Sequence, residues 1–196
     1  KIIEKGHLTR GFKPVHWCCA CRSSLAEAEV IYKDKISPSI DVGFKVNNLD
    51  VLKNSLKPYL DDKIINNINN ISFVIWTTTP WTLPANQAVA LGSEIKYVLL
   101  EIDKKSGKYV FVAKDLYKDF LERCLGDSKN HKILMEITGE HLTACDLLLQ
   151  HPLISDRQVP LILGHHVTTE SGTGCVHIAP AHGEDDFQIG KNIIYL

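Results

Sequence analysis

The sequence predicts an α+β fold that is mainly β, a closed or nearly closed β-barrel with a few helices packed outside it. Three observations carry this prediction. Short runs of β-type composition recur along most of the 196 residues, helical patterns are few, and 44% hydrophobic residues are enough for one sizeable core with an appendage rather than two full domains.

In chain order, Lys1 to Glu29 carries the cluster Trp17-Cys-Cys-Ala-Cys21 and then Leu25-Ala-Glu-Ala-Glu29 without a clear apolar period. Residues 1–32 therefore read as a connector and residues 33–196 as the main domain. From Val30 the pattern changes, and Ile40, Val42, Phe44 and Val46 alternate with other residues as along a half-buried strand. Further strands are predicted at Ile71 to Trp76, Gln87 to Leu91, Lys96 to Ile102, Lys108 to Ala113, Lys132 to Ile137, Val159 to Leu163 and Gly174 to Ile178. Helices are predicted at Leu49 to Leu56, stopped before Pro58, at Lys114 to Cys124, and from about Glu184 onward. The stretch Asp61 to Asn70, rich in Asn and Ile without period, reads as a surface insertion. The chain opens on Lys1 and breaks off soon after a helix start, as expected of a piece of a longer protein.

The net charge of -1 and the pI of about 6.8 exclude the strongly basic field of a protein that grips nucleic acid mainly by neutralising phosphates, so any RNA contact must be local. Of the six cysteines, Cys18, Cys19 and Cys21 share one short window while Cys124, Cys145 and Cys175 are scattered in apolar contexts, which argues against a disulfide framework. No apolar stretch approaches the length of a membrane span, and a cytoplasmic location without a membrane partner is expected.

The apolar run Ile71-Ser-Phe-Val-Ile-Trp76 leads directly into Thr77-Thr-Thr-Pro-Trp-Thr-Leu-Pro-Ala-Asn86. Pro80 and Pro84 fix their own φ and push Thr79 and Leu83 toward extended conformations, so a rigid irregular loop is expected here, neither helix nor interior ladder. Its hydroxyls, amide and indole present neutral hydrogen-bonding groups that suit a ribose and an amino acid. On composition alone the plainer reading is the better one: threonine and tryptophan are common β-formers, and prolines end edge strands.

A second cluster, Gly172-Thr-Gly-Cys-Val-His-Ile-Ala-Pro-Ala-His-Gly-Glu-Asp-Asp-Phe187, reads as loop, strand, loop and helix start. Glu184, Asp185 and Asp186 would occupy a first helical turn, where the dipole favours anions. Two further chemistries are open to these residues: a metal on His177, His182 and Asp186, or a nucleophilic pair of Cys175 and His177 on one face of a strand. Cys18 and Cys21 have the C-x-x-C spacing of half a zinc site, and no second such pair follows.

The run Trp76 to Asn86 resembles the threonine-rich signature of the editing domains of isoleucyl-tRNA synthetases. The sister enzymes for valine and leucine have similar loops, but with Arg near the position of Thr79 and without the following Trp-Thr-Leu-Pro-Ala-Asn. The resemblance extends from about Gly6 to Gly190 and is densest at Lys13 to Glu29, Phe73 to Val89 and Gly164 to Phe187. It implies the β-barrel editing domain of the valine, isoleucine and leucine enzymes, and hydrolysis of valine wrongly esterified to tRNA(Ile). It further implies that Thr77, Thr78, Thr79, Trp81 and His177 line a pocket small enough to exclude isoleucine, that Asn86 supports the loop or positions water, and that Asp186 receives the ammonium group of the amino acid. The implied partners are the aminoacylated 3′ end of tRNA(Ile) and the rest of a synthetase. No cofactor is expected in the chain itself. Zinc on Cys18 and Cys21 would require a second pair contributed from outside it. The His-Ile-Gly-His and Lys-Met-Ser-Lys-Ser motifs that mark the synthetic half of such enzymes do not occur here, so no aminoacyl-adenylate chemistry is expected. A docking module for the tRNA end and a structural zinc connector are the competing expectations.

Overall fold

The computed structural model describes residues 1–8, 10–103, 107–126 and 131–193, with side chains as far as Lys191. The chain opens on a small hairpin of β1 (His16–Cys18) and β2 (Ser23–Leu25), in which Trp17 lies opposite Ser24. The body follows as β3 (Ile40–Lys45), α1 (Leu49–Leu56), α2 (Asp62–Asn67), β4 (Asn70–Thr77), β5 (Ala88–Leu91), β6 (Lys96–Asp103) and β7 (Lys108–Ala113). It is completed by α3 (Tyr117–Leu125), β8 (Lys132–Thr138), α4 (Gly139–Thr143), β9 (Leu148–Gln150), β10 (Gln158–Leu163), β11 (Cys175–Ile178) and α5 (Glu184–Ile193).

The strands of the body form two mixed sheets, one ordered β3-β4-β7-β6-β8 and the other β11-β5-β10-β9. The pairs β4–β7 and β5–β10 are parallel and the others antiparallel. An antiparallel bridge between Val46 and Leu149, with the N–H of Asn47 donating to Leu148 O at 2.8 Å, stitches the sheets together at one edge. The predicted fold class, mainly β with peripheral helices, is therefore the one observed, as two mixed sheets joined at one edge; no closed barrel is found among the described residues.

The sheets enclose one core in which Phe44, Phe73, Ile75, Leu91, Leu99 and Phe111 are fully buried, with the Phe73 and Phe111 rings stacked at 4.9 Å. On the far face of the five-stranded sheet, Val74, Val98, Leu100, Val110 and Val112 are covered by Phe120 and Leu121 of α3. This second layer explains why β6 and β7 read as continuous apolar runs instead of alternating ones, since both of their faces are covered. A third, smaller cluster joins Ala88, Ala90, Val167 and Ile178 to Ile189 of α5.

The stretch Asp61 to Asn70 is not a surface insertion. It forms α2 and the start of β4, and Ile65 and Ile68 are buried with Ile64 packed against the same core. A helix of six residues is too short to display a period, yet the spacing of these three isoleucines places them on one face. The helices α4 and β9's three-residue strand are additions that no sequence pattern marked, for the same reason of length.

Two tethers place β11. Tyr97, fully buried, donates its hydroxyl to Gly174 O at 2.6 Å and accepts the N–H of Gly92 at 3.0 Å, and burial pushes its pKa far up. Gly174 has φ +73, and a Cβ there would lie 2.3 Å from that of Ala113, so only glycine allows this approach. Arg123 of α3 grips Asp41 of β3 with Nε at 3.2 Å and Nη2 at 2.9 Å, and Nη2 also donates to Gly172 O at 3.1 Å. The loop before β11 is thereby tied to α3 and, through Asp41, to β3, the neighbour of the strand that carries the threonines.

Candidate functional site

The threonine run leaves β4 at Thr77, whose buried Oγ1 accepts the N–H of Thr79 at 3.1 Å and lies 3.3 Å from the Thr79 hydroxyl. This local bond turns the chain out of the ladder. Contrary to the expectation of a wholly irregular loop, residues Pro80–Ala85 form a 3-10 helix. Pro80 stands at its first turn, where a missing N–H costs nothing, and the tight turn accommodates Pro84 as well. The Thr82 hydroxyl donates to Thr79 O at 2.8 Å and closes the turn.

The carbonyls at the end of this helix are bound from behind. His151, buried, directs Nε2 at Leu83 O at 2.9 Å, while its Nδ1 accepts the N–H groups of Leu153 and Ile154, each at 3.1 Å. Arg157 Nη1 donates to Pro84 O at 3.0 Å and to Asn86 O at 3.4 Å. Pro84 O and Asn86 O are acceptors that a helix end leaves without intrahelical partners, and Arg157 satisfies them, while His151 adds a second bond to Leu83 O, which also accepts the N–H of Asn86.

From the opposite side, β11 pairs with β5 and sets His177 across from Val89. Its Nε2 is 2.9 Å from Thr82 Oγ1, and its Nδ1 is 3.3 Å from Asn86 Nδ2. Asn86 is completely buried, and the same Nδ2 donates to Ala88 O at 2.8 Å. Because the Thr82 proton is used on Thr79 O and Asn86 Nδ2 is a donor, the consistent assignment makes Nδ1 the acceptor and Nε2–H the donor of a neutral imidazole. Asn86 Oδ1 is buried without a partner among the described residues.

Burial lowers the pKa of His177 below its ordinary 6.5; Asp186 opposes the shift, while His182 and His151 add to it. The native state thus binds this proton less readily than the unfolded chain. The contribution of His177 to stability is fully present above pH 6.5 and is lost as pH falls from there through the lowered native value. Urea unfolding followed between about pH 8 and pH 5 is expected to show a steeper acid-side loss in the parent chain than in His177→Gln. Equal slopes would mean that His177 is not held neutral.

Asp186 lies in the first turn of α5, and its Oδ2 accepts the N–H of Ala179, just past β11, at 2.8 Å. Oδ1 keeps its acceptor capacity, and Gly183 backs the carboxyl so closely that a Cβ on it would sit 3.3 Å from Asp186 Cγ. Glu184 and Asp185 are exposed helix-start residues. The structure thus joins Thr77, Thr79, Thr82, Asn86 and His177 in one hydrogen-bonded network, with Asp186 in electrostatic reach of His177. Thr78 is exposed, and Trp81 stands 60% exposed at the rim with Lys35 Nζ 5.9 Å from its ring. Thr82, His151 and Arg157 were not singled out by sequence reasoning. Thr82 lies in plain view within the threonine run, whereas nothing local marks the other two.

The nucleophilic pair is not supported. Cys175 points into the core with its Sγ 3.9 Å from Phe111 O, and burial pushes its thiol far above the ordinary range. Among the described residues no group of three or more His, Cys, Asp or Glu is placed to hold a metal ion. Cys18 ends β1 and Cys21 lies in the turn of the hairpin, with Cys18 Sγ accepting the N–H of Cys21 at 3.3 Å. Hydrogen bonds from Cys21 and Ala20 lower the pKa of Cys18, as suits a thiolate ligand.

Comparison with known proteins identifies the family and the fold. The family described as tRNA synthetases class I (I, L, M and V) matches residues 1–145. The isoleucine--tRNA ligase of Francisella tularensis subsp. novicida (strain U112) is 48% identical over 192 residues, covering 97% of this chain and 19% of that protein. The corresponding ligase of Francisella tularensis subsp. tularensis (strain WY96-3418) is 47% identical over the same coverage. The chain therefore spans about a fifth of the length of the curated relatives it matches. Among solved structures, GlLeuRS-CP1 superposes with a TM-score of 0.63 at 18% identity, covering 81% of this chain and 61% of that one. The Plasmodium falciparum cytosolic leucyl-tRNA synthetase editing domain gives 0.60 at 14% identity, covering 80% and 67%. The chain belongs to the class I tRNA synthetases of the isoleucine, leucine, methionine and valine group, and it has the fold of leucyl-tRNA synthetase editing domains.

Proposed function

We propose that this chain is the editing domain of an isoleucine-tRNA ligase and hydrolyses valine wrongly esterified to the 3′ end of tRNA(Ile) in the cytoplasm. The observation that carries the reading is the neutral network of Thr82, His177 and Asn86 beside a carboxylate with one oxygen still able to accept. An aminoacyl ester offers matching groups: an ammonium for Asp186, and hydroxyls and a carbonyl for neutral donors and acceptors. A second site is needed because one missing methylene in a hydrophobic pocket is worth only about 1–3 kcal/mol, a magnitude for which the isoleucyl enzyme is itself the standard worked example.

In this reading Asp186 holds the amino group, and Thr77, Thr78, Thr79 and Trp81 with His177 bound the side-chain pocket. Asn86, completely buried, supports the loop and holds the His177 ring. Water attacks the ester carbonyl, the bond to the ribose oxygen breaks, and the ribose hydroxyl and free valine leave. Holding ester and water in register supplies much of the rate. Synthesis of Ile-tRNA(Ile) with ATP belongs to the longer protein. Cys18 and Cys21 would supply two of the four ligands of a structural zinc, the other pair coming from outside the chain.

The decisive assay presents the purified chain with Val-tRNA(Ile) and Ile-tRNA(Ile) in parallel and follows release of the labelled amino acid. Selective release of valine is expected. Tight binding of both without release would make the chain a docking module, and release of both at one rate would refute the pocket assignment.

A further inference from the structure

The connector hairpin and the turn leading into α5 enclose a groove of about 400 Å³, lined by residues 14–17 on one side and 181–184 on the other. Its volume falls in the range of about 300 to 1,000 Å³ usual for small-ligand sites. Three rings line it, those of His16, Trp17 and His182, and Trp17 is 60% exposed. The groove opens next to the candidate site: Gly183 on its wall abuts the Asp186 carboxyl, and His182 is electrostatically coupled to His177.

The occupant follows from the charge and the chemistry of the lining. The lining carries no lysine or arginine with which to hold an RNA strand through its phosphates. Grip on a strand next to the site must then come from stacking, and exposed tryptophan and histidine rings are the side chains on which unpaired bases stack. Glu184, the one carboxylate on the lining, is an acceptor for an exocyclic amino group and repels a phosphate, which favours a base over the backbone at this spot. We propose that this groove holds an unpaired nucleotide immediately upstream of the terminal nucleoside, stacked on Trp17 and His182. The inference rests on the editing reading given above, because it takes the RNA end to lie at Asp186 and His177.

The test compares Val-tRNA(Ile) with valyl-adenosine, which carries the same ester but no upstream nucleotide. Trp17→Ala is expected to raise KM for Val-tRNA(Ile) about 5- to 150-fold with kcat within about twofold, and to leave valyl-adenosine cleavage unchanged. His182→Ala should act in the same direction, and Trp17→Phe should keep most of the affinity. An unchanged KM for the tRNA, or equal loss on both substrates, overturns the proposal. If the parent chain cleaves neither substrate, the editing reading fails by itself, and the groove is then judged by binding of the RNA trinucleotide CCA. Quenching of tryptophan fluorescence that disappears in Trp17→Ala supports the groove, and no quenching in the parent chain refutes it.

Discussion

Asp186→Ala is expected to lower kcat/KM for release of valine from Val-tRNA(Ile) by roughly 30- to 5,000-fold, the range set by about 2–5 kcal/mol for truncating one member of a hydrogen-bonded charge pair. The residue has two tasks that can be separated. Oδ2 accepts the Ala179 N–H and so ties α5 to the end of β11, while the negative charge is what an ammonium group would meet. Asp186→Asn keeps an oxygen acceptor for Ala179 and removes the charge. Its thermal midpoint should therefore stay near that of the parent chain while its activity falls almost as far as that of the alanine variant. Full activity in Asp186→Asn would remove the ammonium contact from the assignment.

The second large effect is expected at Asn86. This side chain is completely buried, and its amide group serves Ala88 O and His177 Nδ1 at once. Asn86→Ala leaves both acceptors without a donor, a loss of about 2–4 kcal/mol for two buried polar groups. For a chain of this length that corresponds to roughly 4–16 °C in Tm. Valine release should fall together with stability, because His177 loses the contact that orients its ring. Asn86→Asp is the sharper probe: a carboxylate facing Ala88 O and an unprotonated ring nitrogen is tolerated only if His177 takes up a proton. The acid limb of the pH–activity profile should then move upward relative to the parent chain. Calorimetry and the pH profile measured on both variants check these expectations, and an unaltered melting temperature in Asn86→Ala would show that the network carries no stability.

Much of this site is written in consecutive residues. Trp76 to Asn86 leaves a strand and turns by local bonds, Thr77 to Thr79 and Thr82 to Thr79, so the rigid segment between strand and strand was legible without the fold. Gly174 and the strand after it are legible for a similar reason, since positive φ and close approach to Ala113 call for glycine there. The 3-10 helix was missed because Pro80 and Pro84 argue against a regular helix interior, whereas a single tight turn tolerates them at its start and near its end. The isoleucines of Asp61 to Asn70 were misplaced because six residues of α2 display too little of a period to reveal a buried face.

The sequence alone thus determined the fold class, the order of the main strands, the threonine run and the Gly-His-Asp segment, because alternation, turn chemistry and short motifs are properties of neighbouring residues. The tertiary structure alone decided that Thr82 meets His177 across 95 positions, that Asn86 sets the tautomer of that ring, and that His151 reaches Leu83 across 68 positions to cap the helix from behind. These contacts depend on how two sheets close over one core. The pairing of β5 with both β10 and β11 brings distant segments to the same place, and no local preference of the chain encodes that closure.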